Sequence, residues 1–210
     1  MRKYEWRFVA AGSVLTILFL IVVNYVTGVE YPWFIYPVLL LLLLPFGIYA
    51  IIEKKQILFS LVGSFILLVY LVLENYISTP DYPWVLYTIA PIVLWPILTV
   101  LGTRNKNMTV AISMSLIFTL YYVLLNVYLA PAYPWAIFPA FLILWWPLSL
   151  YHAKRKAYFA FSVNAALFIS LFLISVNVFF SPDAIWAVYP IFAVLWWPLS
   201  MYYFSYRQKV

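Results

Sequence analysis

The stretch "AYPWAIFPAFLILWWPLSLYHAKRK", residues 132–156, opens on a turn, runs through apolar and aromatic residues, and stops at a basic cluster. Alone it reads as one membrane helix, because an apolar run of about 20 residues at about 1.5 Å per residue matches a hydrocarbon core about 30 Å thick. The chain writes something like it four times. Counted from the tryptophan of "YPW", Trp33, Trp84, Trp135 and Trp186 recur every 51 residues. The same interval joins Pro45, Pro96, Pro147 and Pro198, and also Asn24, Asn75, Asn126 and Asn177. Three further columns hold in three copies: Pro37, Pro139 and Pro190 with Thr88 as the exception; Pro80, Pro131 and Pro182 with Val29; Trp95, Trp146 and Trp197 with Leu44. Three unbroken columns without an insertion or deletion mark a fourfold tandem duplication. The copies are 1–52, 53–103, 104–154 and 155–210, together one transmembrane domain.

Each copy follows one plan. An apolar helix climbs to the Asn, a short link such as "ENYISTPDYPW" or "LAPAYPW" follows, and a second apolar helix runs from the Trp to a basic link. The expected fold is an all-α integral membrane protein with eight transmembrane helices in four hairpins. Two helices per copy return the chain to the side it left, so the copies are parallel and the inverted-repeat transporter plan is a poor match. A ring of four hairpins with pseudo-fourfold symmetry is the simplest closed arrangement; an open row is the alternative.

Composition supports the same class. Residues are 68% hydrophobic and 9% charged, whereas a water-soluble domain carries roughly a quarter charged residues. The start, "MRKYEWRFVAAGSVLTILFLIVV", resembles a signal peptide. Its apolar run is long enough to span, no A-x-A-like site follows, and it is in register with the later copies, so it is expected to be the first span.

All 12 Lys and Arg fall in the N-terminal segment, the links "IIEKKQ", "GTRNKN" and "YHAKRK", and the tail "YRQKV". By the positive-inside rule these segments and both termini are cytoplasmic, in a multi-pass protein of the cell membrane. Glu30, Glu74, Asp81 and Asp183 then lie outside, and Glu5 and Glu53 inside. The net charge of +6 is spread thinly over membrane flanks. It suits anionic lipid headgroups, with a membrane or cytoplasmic protein as a further partner, and not nucleic acid, since no basic extramembrane domain exists to carry it.

Chemistry has few places to reside. Cys is absent and His152 is the one histidine, which excludes disulfides, thiolate sites and a histidine metal cluster within one chain. Five glycines form no phosphate-cradling loop. Only Glu5 and Glu53 share the side of His152, so a Ser-His-Asp arrangement lacks its acid. No enzyme, cofactor or metal is expected.

The columns carry the remaining signal. Pro32, Pro83 and Pro134 suit the first helical position, where a missing N–H costs nothing, and the neighbouring Trp suits the outer interface. An outward aromatic cup for an apolar or cationic ligand is the sharper reading of the same tryptophans. Pro45, Pro96, Pro147 and Pro198 lie about 18 Å down the second helices; each removes a backbone bond and bends its helix, as a fixed shape or as a gate. An amide in lipid is costly unless paired, so Asn24, Asn75, Asn126 and Asn177 predict mutual or cross-helix hydrogen bonds, or a polar ring lining an outer vestibule. His152 is expected at an ordinary interfacial position beside Lys154, Arg155 and Lys156. Small residues such as Ser60, Gly63, Ser64, Ala111 and Ser115 concentrate in the first helices, which predicts an inner ring of first helices with bulky second helices facing lipid.

The unit, read over Asn75 to Trp84, Asn126 to Trp135 with Pro139, and Asn177 to Trp186 with Pro190, resembles the bacterial "2TM domain" hairpin. In that family a terminal His closes the second helix, a place His152 holds in the third copy alone, and a Gly-rich helix end stands where this chain has "WPI" or "WWPL". The resemblance implies a membrane anchor or an accessory part of a sensory or regulatory protein. The expected function is a non-catalytic sensory, regulatory or complex-forming membrane subunit. The alternative is a small-solute transporter or channel using the Asn and Trp columns as vestibule and the prolines as gate.

Overall fold

The computed structural model describes residues 3–28 and 32–206. Arg2, Val29, Glu30, Tyr31, Arg207 and Lys209, given places above in flanks, turn or tail, lie outside the described residues. All described secondary structure is helical. Eight α-helices occur among the described residues: α1 (Lys3–Thr27), α2 (Ile35–Ile52), α3 (Gln56–Ser78), α4 (Val85–Leu101), α5 (Met108–Leu129), α6 (Ile137–Arg155), α7 (Tyr158–Phe180) and α8 (Val188–Met201). A 3₁₀ segment, Gly102–Lys106, follows α4, and a π-helical segment, Tyr202–Tyr206, follows α8.

Six of these helices are long and apolar enough to cross a membrane: α1, α2, α3, α5, α7, and α4 taken with the 3₁₀ segment that continues it to Lys106. The other two differ for visible reasons: α6 ends in His152, Lys154 and Arg155, and α8 is 14 residues long.

The chain divides into two compact units, Met1–Gly102 and Thr103–Val210. In the first, α1 packs on α2, α2 on α3, and α3 on α4; in the second, α5 packs on α6, α6 on α7, and α7 on α8. Within each unit the helices thus pack in chain order, and the buried residues concentrate in the first helices, four each in α3, α5 and α7 against two or fewer in each second helix. The small residues act at a shorter range than expected, seating large side chains of the partner helix. A Cβ placed on Gly63 would stand 3.0 Å from the Trp95 ring, so α3 offers that indole bare backbone. In the second unit an aromatic ladder joins α6 to α7, with Phe141 stacked 4.0 Å from Phe172 and 4.9 Å from Phe168.

Burial is reversed relative to a water-soluble bundle. Ser13, Ser64, Ser115 and Ala166, spaced by 51 residues, are all buried. Their immediate neighbours Val14, Phe65, Leu116 and Leu167 are all exposed. Small groups inside and large apolar ones outside is the arrangement for helices that associate by close packing in lipid, where exposing Leu or Phe costs nothing.

The corners that join hairpins within a unit are alike. Lys54 and Lys156 adopt left-handed φ values of 56° and 52°. The Lys55 N–H donates to the Ala50 carbonyl at 2.7 Å, and the Ala157 N–H to the His152 carbonyl at 3.1 Å. These six-to-one bonds close the last turns of α2 and α6 and satisfy carbonyls that a helix end leaves free.

Candidate functional site

The second helices begin without a capping side chain. Trp84, Ala136 and Ala187 stand at the N-caps of α4, α6 and α8, and none supplies a side-chain acceptor. The acceptor comes from the preceding helix. Asn75 Oδ1 accepts the Val85 N–H at 3.1 Å, Asn126 Oδ1 the Ala136 N–H at 2.9 Å, and Asn177 Oδ1 the Ala187 N–H at 3.1 Å. The amide nitrogen of the same side chain serves the carbonyls of the turn. Asn75 Nδ2 donates to the Thr79 and Tyr82 carbonyls, both at 2.8 Å. Asn126 Nδ2 donates to Ala130 at 2.7 Å and Tyr133 at 2.8 Å, and Asn177 Nδ2 to Ser181 at 2.7 Å and Ala184 at 2.6 Å. The main-chain oxygen of each of the four asparagines also accepts the N–H four residues on, at 3.0 Å. Asn24 repeats the first of the amide contacts, donating to the Gly28 carbonyl at 2.7 Å; its seven-residue partner falls on Tyr31, outside the described residues.

All four asparagines are buried. In Asn75, Asn126 and Asn177 the two amide N–H groups go to two turn carbonyls, each of which also accepts a backbone N–H, and the amide oxygen takes one N–H at the entry of the next helix. The polar column folds the turn of its own hairpin, and Asn75, Asn126 and Asn177 bond only within ten residues, to backbone and, for Asn75, also to the Thr79 hydroxyl.

The tryptophans belong to the same device. Trp84 Nε1 donates to Thr79 Oγ1 at 2.7 Å, and Trp186 Nε1 to Ser181 Oγ at 2.5 Å. Thr79 Oγ1 also accepts from Asn75 Nδ2 at 3.3 Å, so one hydroxyl joins the Asn and Trp columns. Gly28 and Ala130, four residues after Asn24 and Asn126, have no hydroxyl; Trp135 instead meets the Tyr122 ring edge-on at 6.0 Å. Trp33, Trp84, Trp135 and Trp186 are each half-buried.

Pro83 and Pro134 lie ahead of the helix and not at its first residue. Each is the centre of a three-residue turn: the Trp84 N–H donates to Tyr82 O at 2.9 Å, and the Trp135 N–H to Tyr133 O at 2.8 Å. A fixed φ near −65° suits that centre. Ile185 holds the corresponding place before Trp186, whose N–H donates to Ala184 O at 3.0 Å.

The prolines at 45, 96, 147 and 198 lie inside α2, α4, α6 and α8. A proline leaves the carbonyl four residues before it without its amide partner, which for Pro96 is Ile92 and for Pro147 is Ile143. Ser64 Oγ donates to the Ile92 carbonyl at 3.0 Å, and Ser115 Oγ to the Ile143 carbonyl at 3.3 Å. Both hydroxyls come from the first helix of the same hairpin. Sequence reasoning took these serines as packing residues and missed their acceptors. A signal was present, since Ser13, Ser64 and Ser115 form a column of their own, with Ala166 as the exception.

His152 stands in the last turn of α6, beside Lys154 and Arg155, but is not on the surface. Its residue exposure is 3%, because the last turn of α6 rotates it under the corner and against α7. Its Nε2 lies 3.0 Å from Asn164 Nδ2, while Nδ1 is buried and makes no hydrogen bond among the described residues. A groove of about 440 Å³ opens beside the pair, lined by Leu148, Tyr151 and Phe168 among others.

No known protein family, curated protein or solved structure matches the chain.

Proposed function

We propose that the chain is a non-catalytic integral membrane protein, a complex-forming or regulatory subunit whose work is done by its outer surfaces. In this reading α6 and α8 cross the membrane with the other six helices, giving eight spans from four tandem copies of one hairpin. The protein sits in a bacterial cytoplasmic membrane with both termini and the cationic links in the cytosol, and the resemblance to the "2TM domain" hairpin favours an accessory role.

The observation that carries the proposal is the use made of the polar columns. Amides and hydroxyls at membrane depth are the first groups to examine for a solute path. Here Asn75, Asn126 and Asn177 give their donors and acceptor to backbone, and Ser64 and Ser115 occupy the carbonyls that their prolines free. Groups committed in this way make stiff hairpins and leave little to bind a passing solute. The surfaces that remain are apolar flanks and cationic ends, suited to lipid and to another membrane protein.

The test pairs two assays on the full chain. In liposomes the protein should leave the leak of potassium and of a quaternary ammonium dye at the protein-free rate. Crosslinking in native membranes should trap a defined protein neighbour. Saturable flux above the protein-free rate would overturn the proposal. A reporter fused after Arg155 that is active only in the cytosol is expected from the orientation.

A further inference from the structure

The corner between the first two hairpins and that between the last two are related by 102 residues, twice the repeat interval. Each has a groove beside it, of about 350 Å³ between α2 and α3 and about 440 Å³ beside α6 and α7. Their walls correspond: Phe46 with Leu148, Tyr49 with Tyr151, and Ile66 with Phe168. Two facing positions differ in kind. Where the first groove has Ala50 and Val62, the second has His152 and Asn164, and these two are hydrogen-bonded to each other.

A polar pair set at matched places in an apolar groove costs stability. The Asn164 amide donates to His152 Nε2, which leaves the imidazole hydrogen on Nδ1, and that buried N–H has no partner among the described residues. Asn164 itself is exposed on α7, and its second N–H and its Oδ1 make no bond among the described residues. The first groove demonstrates that Ala and Val fill these positions without such a cost.

Cations adjoin the groove through Tyr151, one of its lining residues. Arg155, one turn beyond His152 on α6, holds its guanidinium 4.2 Å over the Tyr151 ring, and Lys154 and Lys156 flank it, both exposed. Asn164 is six residues into α7, about 9 Å from its start. A cationic flank, an amide roughly two turns deeper and an apolar wall beyond is the order of a phospholipid: phosphate, ester carbonyls, acyl chain.

Resting on the membrane orientation proposed above, we infer that the His152–Asn164 groove is a binding site for one anionic phospholipid of the cytoplasmic leaflet. The phosphate is held by Arg155 and its neighbouring lysines. An ester carbonyl accepts the free N–H of Asn164, which His152 orients. One acyl chain lies along Leu148 and Phe168.

Native mass spectrometry of the full chain, released from micelles containing phosphatidylglycerol or phosphatidylcholine, tests the site. The wild-type chain should retain one phosphatidylglycerol in preference to phosphatidylcholine. His152→Ala with Asn164→Val, which writes the first groove's residues into the second, should cut that retention about tenfold, the effect of losing one good hydrogen bond in a dry site. The fold should survive, and circular dichroism checks it. The reciprocal Ala50→His with Val62→Asn should create a second retained phosphatidylglycerol near Lys55. Unchanged retention in the first double variant overturns the site, as does equal retention of both lipids or displacement by millimolar sn-glycerol 3-phosphate, which would mark a soluble anion. A periplasmic reporter after Arg155 fails the orientation instead, so the two failures are distinguishable.

Discussion

The hydroxyl of Ser64 lies 3.0 Å from the carbonyl oxygen of Ile92, four residues ahead of Pro96. A hydroxyl on one helix thus replaces an amide that the facing helix has given up. The two losses are coupled: Ser64→Ala should cost about 1 kcal/mol while Pro96 is present, and close to nothing once Pro96→Ala restores the backbone donor. Equilibrium unfolding of the four chains in mixed micelles measures the cycle. Additive effects would show that the serine serves packing alone.

Asn126 holds two carbonyls and one N–H at the third turn. Asn126→Ala strands the Ala136 N–H, while the Ala130 and Tyr133 carbonyls keep the Tyr133 and Trp135 N–H donors; at about 1–3 kcal/mol for one buried unsatisfied group the loss should be about 2 kcal/mol. Asn126→Asp should be no better, because it turns a donor into a second acceptor that faces the Ala130 and Tyr133 carbonyls. Thermal aggregation in detergent, compared with the exposed control Leu142→Ala, reads both.

Thr79 joins Asn75 and Trp84 through one hydroxyl. Thr79→Val should lower stability by about 1 kcal/mol and make the indole of Trp84 more mobile. Thr79→Ser should restore both, since the Ser181 hydroxyl accepts the Trp186 indole N–H in the same way. Indole proton exchange followed by nuclear magnetic resonance distinguishes the two variants.

Lys156 bends α6 into α7 at a φ of 52°, a conformation that strains any residue with a Cβ. Lys156→Gly should stabilise the second unit by about 0.5 kcal/mol or more, and Lys54→Gly should do the same for the first. A lower melting temperature in either glycine variant would mean that the lysine side chain contributes more than its backbone costs.

Much of the local architecture was legible because it depends on residue identity at a fixed interval. Asn75, Asn126 and Asn177 each precede a turn, and the Trp nine residues later stands at the next helix's entry. The partners were not legible. Asn126 bonds to main-chain atoms of Ala130, Tyr133 and Ala136, which any side chain at those positions would present. Ser115 looked like a small packing residue because its acceptor, the Ile143 carbonyl, is chosen by the docking of two helices. The burial of His152 was not legible from its charged neighbours: one turn of helix separates Arg155, over the Tyr151 ring, from an imidazole under the corner.

The asparagine lock also bears on biogenesis. Everything that Asn75, Asn126 and Asn177 grip is made within the next ten codons, so a hairpin can shut as soon as its second helix enters the translocon. A lone first helix would meet the bilayer with a bare amide, and insertion two helices at a time avoids that exposure. Nascent chains halted just after a completed pair should resist extraction by urea, and those halted midway through one should not.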